Sequence, residues 1–301
     1  MTTPPPIPNP GPTAAAIRRD DFRFAEPLRV RWAEVDGQQV VFNGHYLTYF
    51  DTAMAGYWRR LGLPYAQTLA DLGGDLFVRK AMLEYHAPAR YDDALEVGLR
   101  FDGVGRSSLR FVAAVFHEHR LLVGGELLYV WVDAAARTPR PVPAAFAEVL
   151  RAFEAGAAPW WVETGAWAAL QTRAQPVRTA VFVDEQGIPA ALEWDAADAQ
   201  AVHAIAVNRL GGTLATGRLM PAVAGRGRIG RMAVLRSQRG SGVGRAVLEA
   251  LVDVARRRGD AAVELHAQVS AEAFYLRAGF VADGPRFDEA GIAHQAMWRA
   301  T

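Results

Sequence analysis

Residues 30–50 read VRWAEVDGQQVVFNGHYLTYF, and the layout of the first half of the chain follows from this stretch. Upstream of Asp36 the pattern alternates. Leu28, Val30 and Trp32 fall on one side and Arg29 and Arg31 on the other, which predicts a half-buried strand over 28–35. Asp36, Gly37, Gln38 and Gln39 then make a polar turn. From residue 43 to 61 the apolar spacing becomes helical. Tyr46, Leu47, Phe50, Ala53, Met54, Tyr57 and Trp58 form a broad face, predicting a buried helix with Asn43 as its N-cap. A carboxylate just before such a helix lies near exposed N–H groups and the positive end of the dipole, where a carbonyl is polarised. Asp36 is thus a candidate general base or nucleophile, although an Asp in a turn is by itself most often a turn former.

Downstream, alternation predicts strands over 76–87, 95–101, 109–116 and 121–132, with hairpin connections at 103–105 and 117–120. One helix against a long antiparallel sheet is an α+β pattern. Pro139, Pro141 and Pro143 introduce a short helix ending near Glu154. The stretch 155–159, AGAAP, reads as a linker between a first domain at 21–154 and a second at 160–301. In the second, a helix over 166–182 leads to strands at 201–208, 213–220 and 228–235. A glycine-rich turn then opens a helix running to about Arg258, followed by a strand at 263–268 and a short helix at 271–277.

Composition narrows the function classes. With 301 residues, 51% hydrophobic and 22% charged, the chain can build two ordinary cores. It has no cysteine, which excludes disulfides, thiolate metal ligands and a thiol nucleophile. A net charge of +1 marks neither a nucleic-acid nor a membrane binder, and no apolar run is long enough to span a bilayer. Residues 1–20 are led by a proline-rich segment and are expected to be a disordered tail. A cytoplasmic location is the expectation. His117 and His119 sit in a hairpin connection, and no histidine or carboxylate spacing argues for a metal.

Residues 28–154 resemble the hotdog-fold acyl-CoA thioesterases of the 4-hydroxybenzoyl-CoA thioesterase-like group. The resemblance is carried by 30–50, by YHAPARYDD at 85–93, by GRSSL at 105–109, by Val132 and Asp133, and by TPRP at 138–141. It implies that Asp36 is the catalytic carboxylate and that the Asn43 N–H polarises the thioester carbonyl. It also implies a homodimer or homotetramer built through this domain. Two positions depart from the pattern: the family usually has Gly where this chain has Gln39, and many members have His where it has Asn43. Gln39 is expected to narrow the approach to the helix end. Asp51 is a second carboxylate on the helix and His45 a neighbouring imidazole; a surface or core role is favoured for both.

Residues 239–244 read RGSGVG after a strand and before a helix, where backbone N–H groups and the dipole suit a phosphate. The Lys-Ser/Thr pair of a P-loop is absent, and the glycine spacing does not fit a dinucleotide fingerprint. Residues 160–301 resemble the GNAT acetyltransferases through Arg239, Gly242 and Gly244, and through AEAFYLRAGF at 271–280. The resemblance implies that Arg239, Gly240, Gly242 and Gly244 hold the acetyl-CoA pyrophosphate. It implies that the strand carrying Met232 and Val234 pairs with pantetheine, and that Tyr275 protonates the leaving thiolate. VRTAVFVDEQGIP at 177–189 resembles a GNAT first helix, making Asp184, Glu185, Glu193 and Asp195 candidates for handling an amine acceptor.

The expectation is therefore a hotdog α+β domain, an antiparallel sheet around a central helix, followed by a mixed α/β GNAT domain. Acyl-CoA and acetyl-CoA would be substrates, with no tightly bound cofactor, no metal and no nucleic-acid partner. Two alternatives stay open: one domain is a silent CoA-binding or oligomerising module, or the hotdog domain is a dehydratase.

Overall fold

The computed structural model describes residues 17–289 and 291–301. The proline-rich segment, with the rest of residues 1–16, lies outside the described residues; the tail expected to run to residue 20 is ordered at its end, where Arg19–Asp21 form a 3-10 turn. The chain divides into two compact units, one ending at Ala157 and the other formed mainly by Ala158–Thr301.

The first unit comprises β1 (Phe24–Arg29), α1 (His45–Arg60), α2 (Tyr65–Asp71), β2 (Gly74–Tyr85), β3 (Ala94–Val104), β4 (Ser108–His117), β5 (Arg120–Asp133) and α3 (Ala144–Glu154). Its five strands form one antiparallel sheet in the order β1-β3-β4-β5-β2. α1 is the central helix. It buries Tyr46, Tyr49, Phe50, Ala53, Met54, Tyr57 and Trp58, and burying a side chain such as Phe50 or Met54 contributes about 1.5–3 kcal/mol. Rings from the helix, the sheet and α3 meet edge-on at Tyr57, whose neighbours Phe24, Phe111 and Phe153 lie 5.5–5.9 Å away between centroids. The Tyr57 hydroxyl donates to Glu154 Oε1 at 2.6 Å, and the same oxygen accepts from Phe101 N–H at 2.9 Å, so no polar group of this contact is left unpaired.

The chain departs from the expected pattern at two places. The first strand stops at Arg29, and Trp32–Glu34 form a 3-10 turn that leaves Trp32 68% exposed. The turn wins over the alternating pattern because the buried Glu34 carboxylate collects donors from its own turn: Arg31 N–H at 2.8 Å and Arg31 Nε at 2.7 Å. On α1, Leu47 points outward and Tyr49 takes its place in the core.

The second unit contains β6 (Trp160–Ala166), α4 (Trp167–Arg178), α5 (Ala190–Glu193), β7 (Val202–Asn208), β8 (Thr213–Leu219), β9 (Arg226–Val234), α6 (Val243–Arg258), β10 (Ala262–Gln268), α7 (Glu272–Arg277), β11 (Val281–Ala282), β12 (Phe287–Glu289) and β13 (Ile292–Ala300). The sheet order is β11-β13-β10-β9-β8-β7-β6, with β12 added beside β13. β9 and β10 run parallel and the other pairs antiparallel, so the sheet is mixed. α6 buries Val247, Leu248, Leu251, Val252 and Ala255 against it.

The helix expected over 166–182 is not uniform. It is α-helical to Arg178 and π-helical over Thr179–Glu185. Pro176 lies inside it, has no N–H to donate to the preceding turn, and loosens the ladder just before the change of pitch.

Candidate active sites

In the first unit, Asp36 sits on a turn closed by two backbone bonds: Asp36 N–H to Val40 O at 2.9 Å and Gln39 N–H to Asp36 O at 3.0 Å. Its Oδ1 accepts the Gln38 N–H at 2.8 Å, which leaves Oδ2 unbonded among the described residues. Gln39 closes this turn at φ +61°, in the left-handed region that favours glycine. That conformation is the physical reason a glycine suits the position.

The turn forms one wall of a cavity of about 590 Å³, also lined by Gln38, Phe42, Asn43, Tyr46 and Tyr85. Gln38, not Gln39, is the glutamine on this wall. The N–H groups of Asn43 and Gly44, just before α1, have no acceptor among the described residues. Asn43 does not cap through its side chain; its carbonyl accepts the Tyr85 hydroxyl at 3.2 Å, joining β2 to the helix start. Tyr46 is buried and its hydroxyl accepts the Ala89 N–H at 3.0 Å; burial raises its pKa.

The Asp36 turn and the start of α1 are held in register by Glu34. Its carboxylate accepts the Tyr49 hydroxyl at 2.7 Å, and its carbonyl accepts the Phe42 N–H at 2.9 Å. Burial alone pushes the Glu34 carboxyl up, but hydrogen bonds from the Arg31 backbone, the Arg31 side chain and Tyr49 outweigh it and hold the pKa below its ordinary value. Glu34, Tyr49 and Tyr85 lie in the stretches quoted from the sequence but were given no role there, because the Tyr49–Glu34 and Tyr85–Asn43 contacts join residues 15 and 42 apart. His45 packs edge-on against Phe42 and is not on the cavity wall. Asp51 is exposed, and its charge acts on Tyr65 and Tyr129.

In the second unit, β9 leads through a 3-10 turn (Arg236–Gln238) into the glycine-rich segment, and Gly242 is the N-cap of α6. Gly240 and Gly242 have φ of +85° and +94°. Gly244 faces Val234 so closely that an added Cβ would lie 2.9 Å from its Cγ2. No side chain caps α6, and the N–H groups of Val243, Gly244 and Arg245 have no acceptor among the described residues. Three donors and the positive end of the helix dipole therefore point at one place.

Arg239 is already engaged. Its guanidinium takes both Glu185 oxygens at 2.7 Å and donates to Val234 O at 3.3 Å, bracing the turn against the π-helical segment. The Arg239 hydrogen bond, more than any other influence, holds the Glu185 carboxyl below its ordinary range. The other acidic candidates divide sharply. Asp184 is exposed and has no hydrogen bond or ion pair among the described residues. Glu193 pairs with Arg178 at 2.5 Å and with Arg231 at 3.2 Å, and Asp195 pairs with Arg218 at 2.7 Å and Arg231 at 3.2 Å.

Tyr275, on α7, is 7% exposed, with Phe274 and Phe280 edge-on at 4.9 and 5.8 Å. Burial pushes its phenol up to about 12. Its hydroxyl makes no hydrogen bond among the described residues and is not one of the fully enclosed polar atoms without a partner. Met232 and Val234 lie half-buried in the last part of β9, Met232 against Gly217 of β8 and Val234 against Gly244 of the glycine-rich turn. Among the described residues no group of three or more His, Asp or Glu side chains is arranged to hold a metal ion, and no helix is long and apolar enough to cross a membrane.

Comparison with known proteins assigns the two units separately. A profile described as "Thioesterase superfamily" matches residues 38–123, and one described as "Acetyltransferase (GNAT) domain" matches residues 174–300. The acyl-CoA thioester hydrolase YbgC of Escherichia coli is 31% identical over 121 residues, covering 40% of this chain and 90% of that protein. The uncharacterized N-acetyltransferase YjcF of Bacillus subtilis is 34% identical over 131 residues, covering 41% of this chain and 87% of that protein. A solved thioesterase from Thermus thermophilus, complexed with coenzyme A and Zn, is 28% identical, with a TM-score of 0.40, covering 45% of this chain and 98% of that one. Both families use CoA thioesters as substrates. Because the sequence matches span most of each relative's length, the chain belongs to the thioesterase superfamily through its first unit and to the GNAT acetyltransferases through its second.

Proposed function

We propose that the chain is a bifunctional CoA-thioester enzyme. Its first domain hydrolyses acyl-CoA to a free acid and CoA, and its second transfers acetyl from acetyl-CoA to an amine. The observation that carries the first reaction is the shared cavity wall: a carboxylate with one free oxygen, and helix-start N–H groups with no acceptor. The Asn43 N–H polarises the thioester carbonyl, the free Oδ2 of Asp36 takes a proton from water, and that water adds to the carbonyl carbon. Collapse of the tetrahedral adduct breaks the C–S bond, the proton held by Asp36 passes to the departing thiolate, and CoA and the free acid are released.

In the second domain, the N–H groups at the start of α6 hold the pyrophosphate and the end of β9 holds pantetheine. The amine attacks the acetyl carbon directly and gives up a proton to solvent, and as the C–S bond breaks Tyr275 protonates the departing thiolate. A phenol with a pKa of about 12 is protonated at neutral pH, as an acid in this role must be. Residues 155–159 link the domains, and we place the enzyme in the cytoplasm as a homodimer or homotetramer. The oligomer is supported by β2, an edge strand that exposes Phe77 and Val78.

The test is a panel of acyl-CoAs with detection of free thiol, run with and without a pool of amines, on the wild type and on Asp36→Asn. Thiol release without amine is expected to fall about 10²–10⁴-fold in the variant. Amine-dependent release is expected to persist. Equal amine-independent hydrolysis by both proteins would remove Asp36 from the mechanism.

A further inference from the structure

β9 pairs with β8 at Ile229↔Leu219 and Gly230↔Arg218, and again at Ala233↔Thr216 and Val234↔Ala215. Between these pairs, Arg231 and Met232 stand opposite Gly217 alone, so the strand carries a bulge of one extra residue. Arg231 adopts φ +51°, a left-handed conformation rare for a residue with a Cβ. A residue held there needs surroundings that over-determine it.

The side chain of Arg231 supplies such surroundings. Its Nε lies 3.2 Å from Glu193 Oε2 and 3.3 Å from the Glu193 carbonyl, and its Nη2 lies 3.2 Å from Asp195 Oδ2. The acids are themselves anchored. Glu193 is 2% exposed and accepts Arg178 Nε at 2.5 Å. The Arg178 guanidinium lies over the Trp167 and Trp194 rings, at 5.2 and 4.7 Å from their centroids. Asp195 takes two bonds from Arg218, at 2.7 and 2.9 Å, and Arg218 also reaches Asp198 at 2.7 Å. Three guanidinium groups thus face three carboxylates in one network, leaving little uncompensated negative charge there to draw in an amine or accept its proton.

We infer that Glu193 and Asp195 act through Arg231 as positioning residues. They hold the β9 bulge in its left-handed conformation and so set where Met232–Val234 present the strand to acetyl-CoA. This rests on reading the end of β9 as the pantetheine strand. Glu193 keeps Arg178 and Asp195 keeps Arg218, so removing Arg231 leaves neither carboxylate without a counter-charge. The side-chain clamp can therefore be separated from the backbone conformation it supports.

Arg231→Ala and Arg231→Gly make that separation. Both delete the clamp, but only glycine adopts a positive φ freely. The full-length protein is used in an Asp36→Asn background, so that acetyl-CoA is not consumed by hydrolysis. Acetyl-CoA affinity is measured by calorimetry beside each variant's melting temperature. Arg231→Ala is expected to bind about tenfold more weakly than its parent, and Arg231→Gly to recover to within about threefold of it. Parental affinity in a folded Arg231→Ala would overturn the clamp, as would an Arg231→Gly variant as weak as alanine. If the alanine variant does not fold, the glycine variant carries the test alone: affinity more than about tenfold below the parent overturns the clamp. A parent that binds no acetyl-CoA in this unit would overturn the pantetheine reading and the clamp together.

Discussion

The two ends of α6 offer a matched pair of substitutions. Gly242, at the N-cap, has φ +94°, and Gly259, at the C-cap, has φ +88°. An added Cβ meets nothing within 4 Å at either position. Alanine at either site therefore pays only for the left-handed backbone, about 1–2 kcal/mol. For a unit of this size that is a fall of roughly 3–8 °C in melting temperature. The ends differ in what approaches from outside. On the proposed function, the N–H groups of Val243 and Gly244, which have no acceptor among the described residues, bind the pyrophosphate, and a methyl group beside them at Gly242 would keep that anion at a distance. A hydrogen bond to a charged group is worth about 1.5–3 kcal/mol, so losing one weakens acetyl-CoA binding about 10–100-fold. Gly259→Ala should lose similar stability and keep its affinity. The assay is calorimetric titration with acetyl-CoA in the Asp36→Asn background, with thermal melts of each variant. Wild-type affinity in Gly242→Ala, or an equal loss in Gly259→Ala, would show that the turn does not bind the phosphates.

Gln39→Gly should stabilise the first unit by up to about 1 kcal/mol, since relief of the φ +61° strain of about 1–2 kcal/mol exceeds the added unfolded-state entropy; urea titration checks it, and a loss of stability would refute it. Tyr275→Phe should slow acetyl transfer and leave hydrolysis unchanged, while Asp36→Asn does the reverse, because the free acid released by hydrolysis cannot donate an acyl group; a severalfold cross-effect in either variant, with fold and oligomer intact, would mean the sites are coupled. Burial raises the Tyr275 pKa to about 12 in the folded state, above an unfolded value near 10, so its contribution to stability is full below about pH 10 and is lost as pH rises through 12. Alkaline melts of wild type and Tyr275→Phe should therefore diverge only above about pH 10. Light scattering of the full chain at micromolar concentration should give at least twice the monomer mass, and Val78→Asp on the exposed β2 edge should reduce it; a monomeric wild type would refute the assembly.

Local pattern carries much of this protein. The Asp36 turn, the aromatic face of α1, the four strands from β2 to β5 and the RGSGVG turn are each short-range features. Period two, period 3.6 and glycine at a strand-to-helix junction are properties of neighbouring residues, so they can be read from the chain directly. What the folded unit decided was of another kind. Trp32 has the spacing of a strand residue, yet the Glu34 carboxylate turns the chain there by bonding Arg31, and its burial is completed by the Tyr49 hydroxyl from 15 residues away. Gln39 was visible as a departure from family pattern, but its cost is a positive φ that only the closed turn imposes. Glu193 and Asp195 look like free acids on an acidic loop. Only the tertiary structure brings Arg178, Arg218 and Arg231 to them from α4, β8 and β9, because ion pairing between elements distant in sequence depends on sheet register and burial, and neither is written in the spacing of the acids themselves.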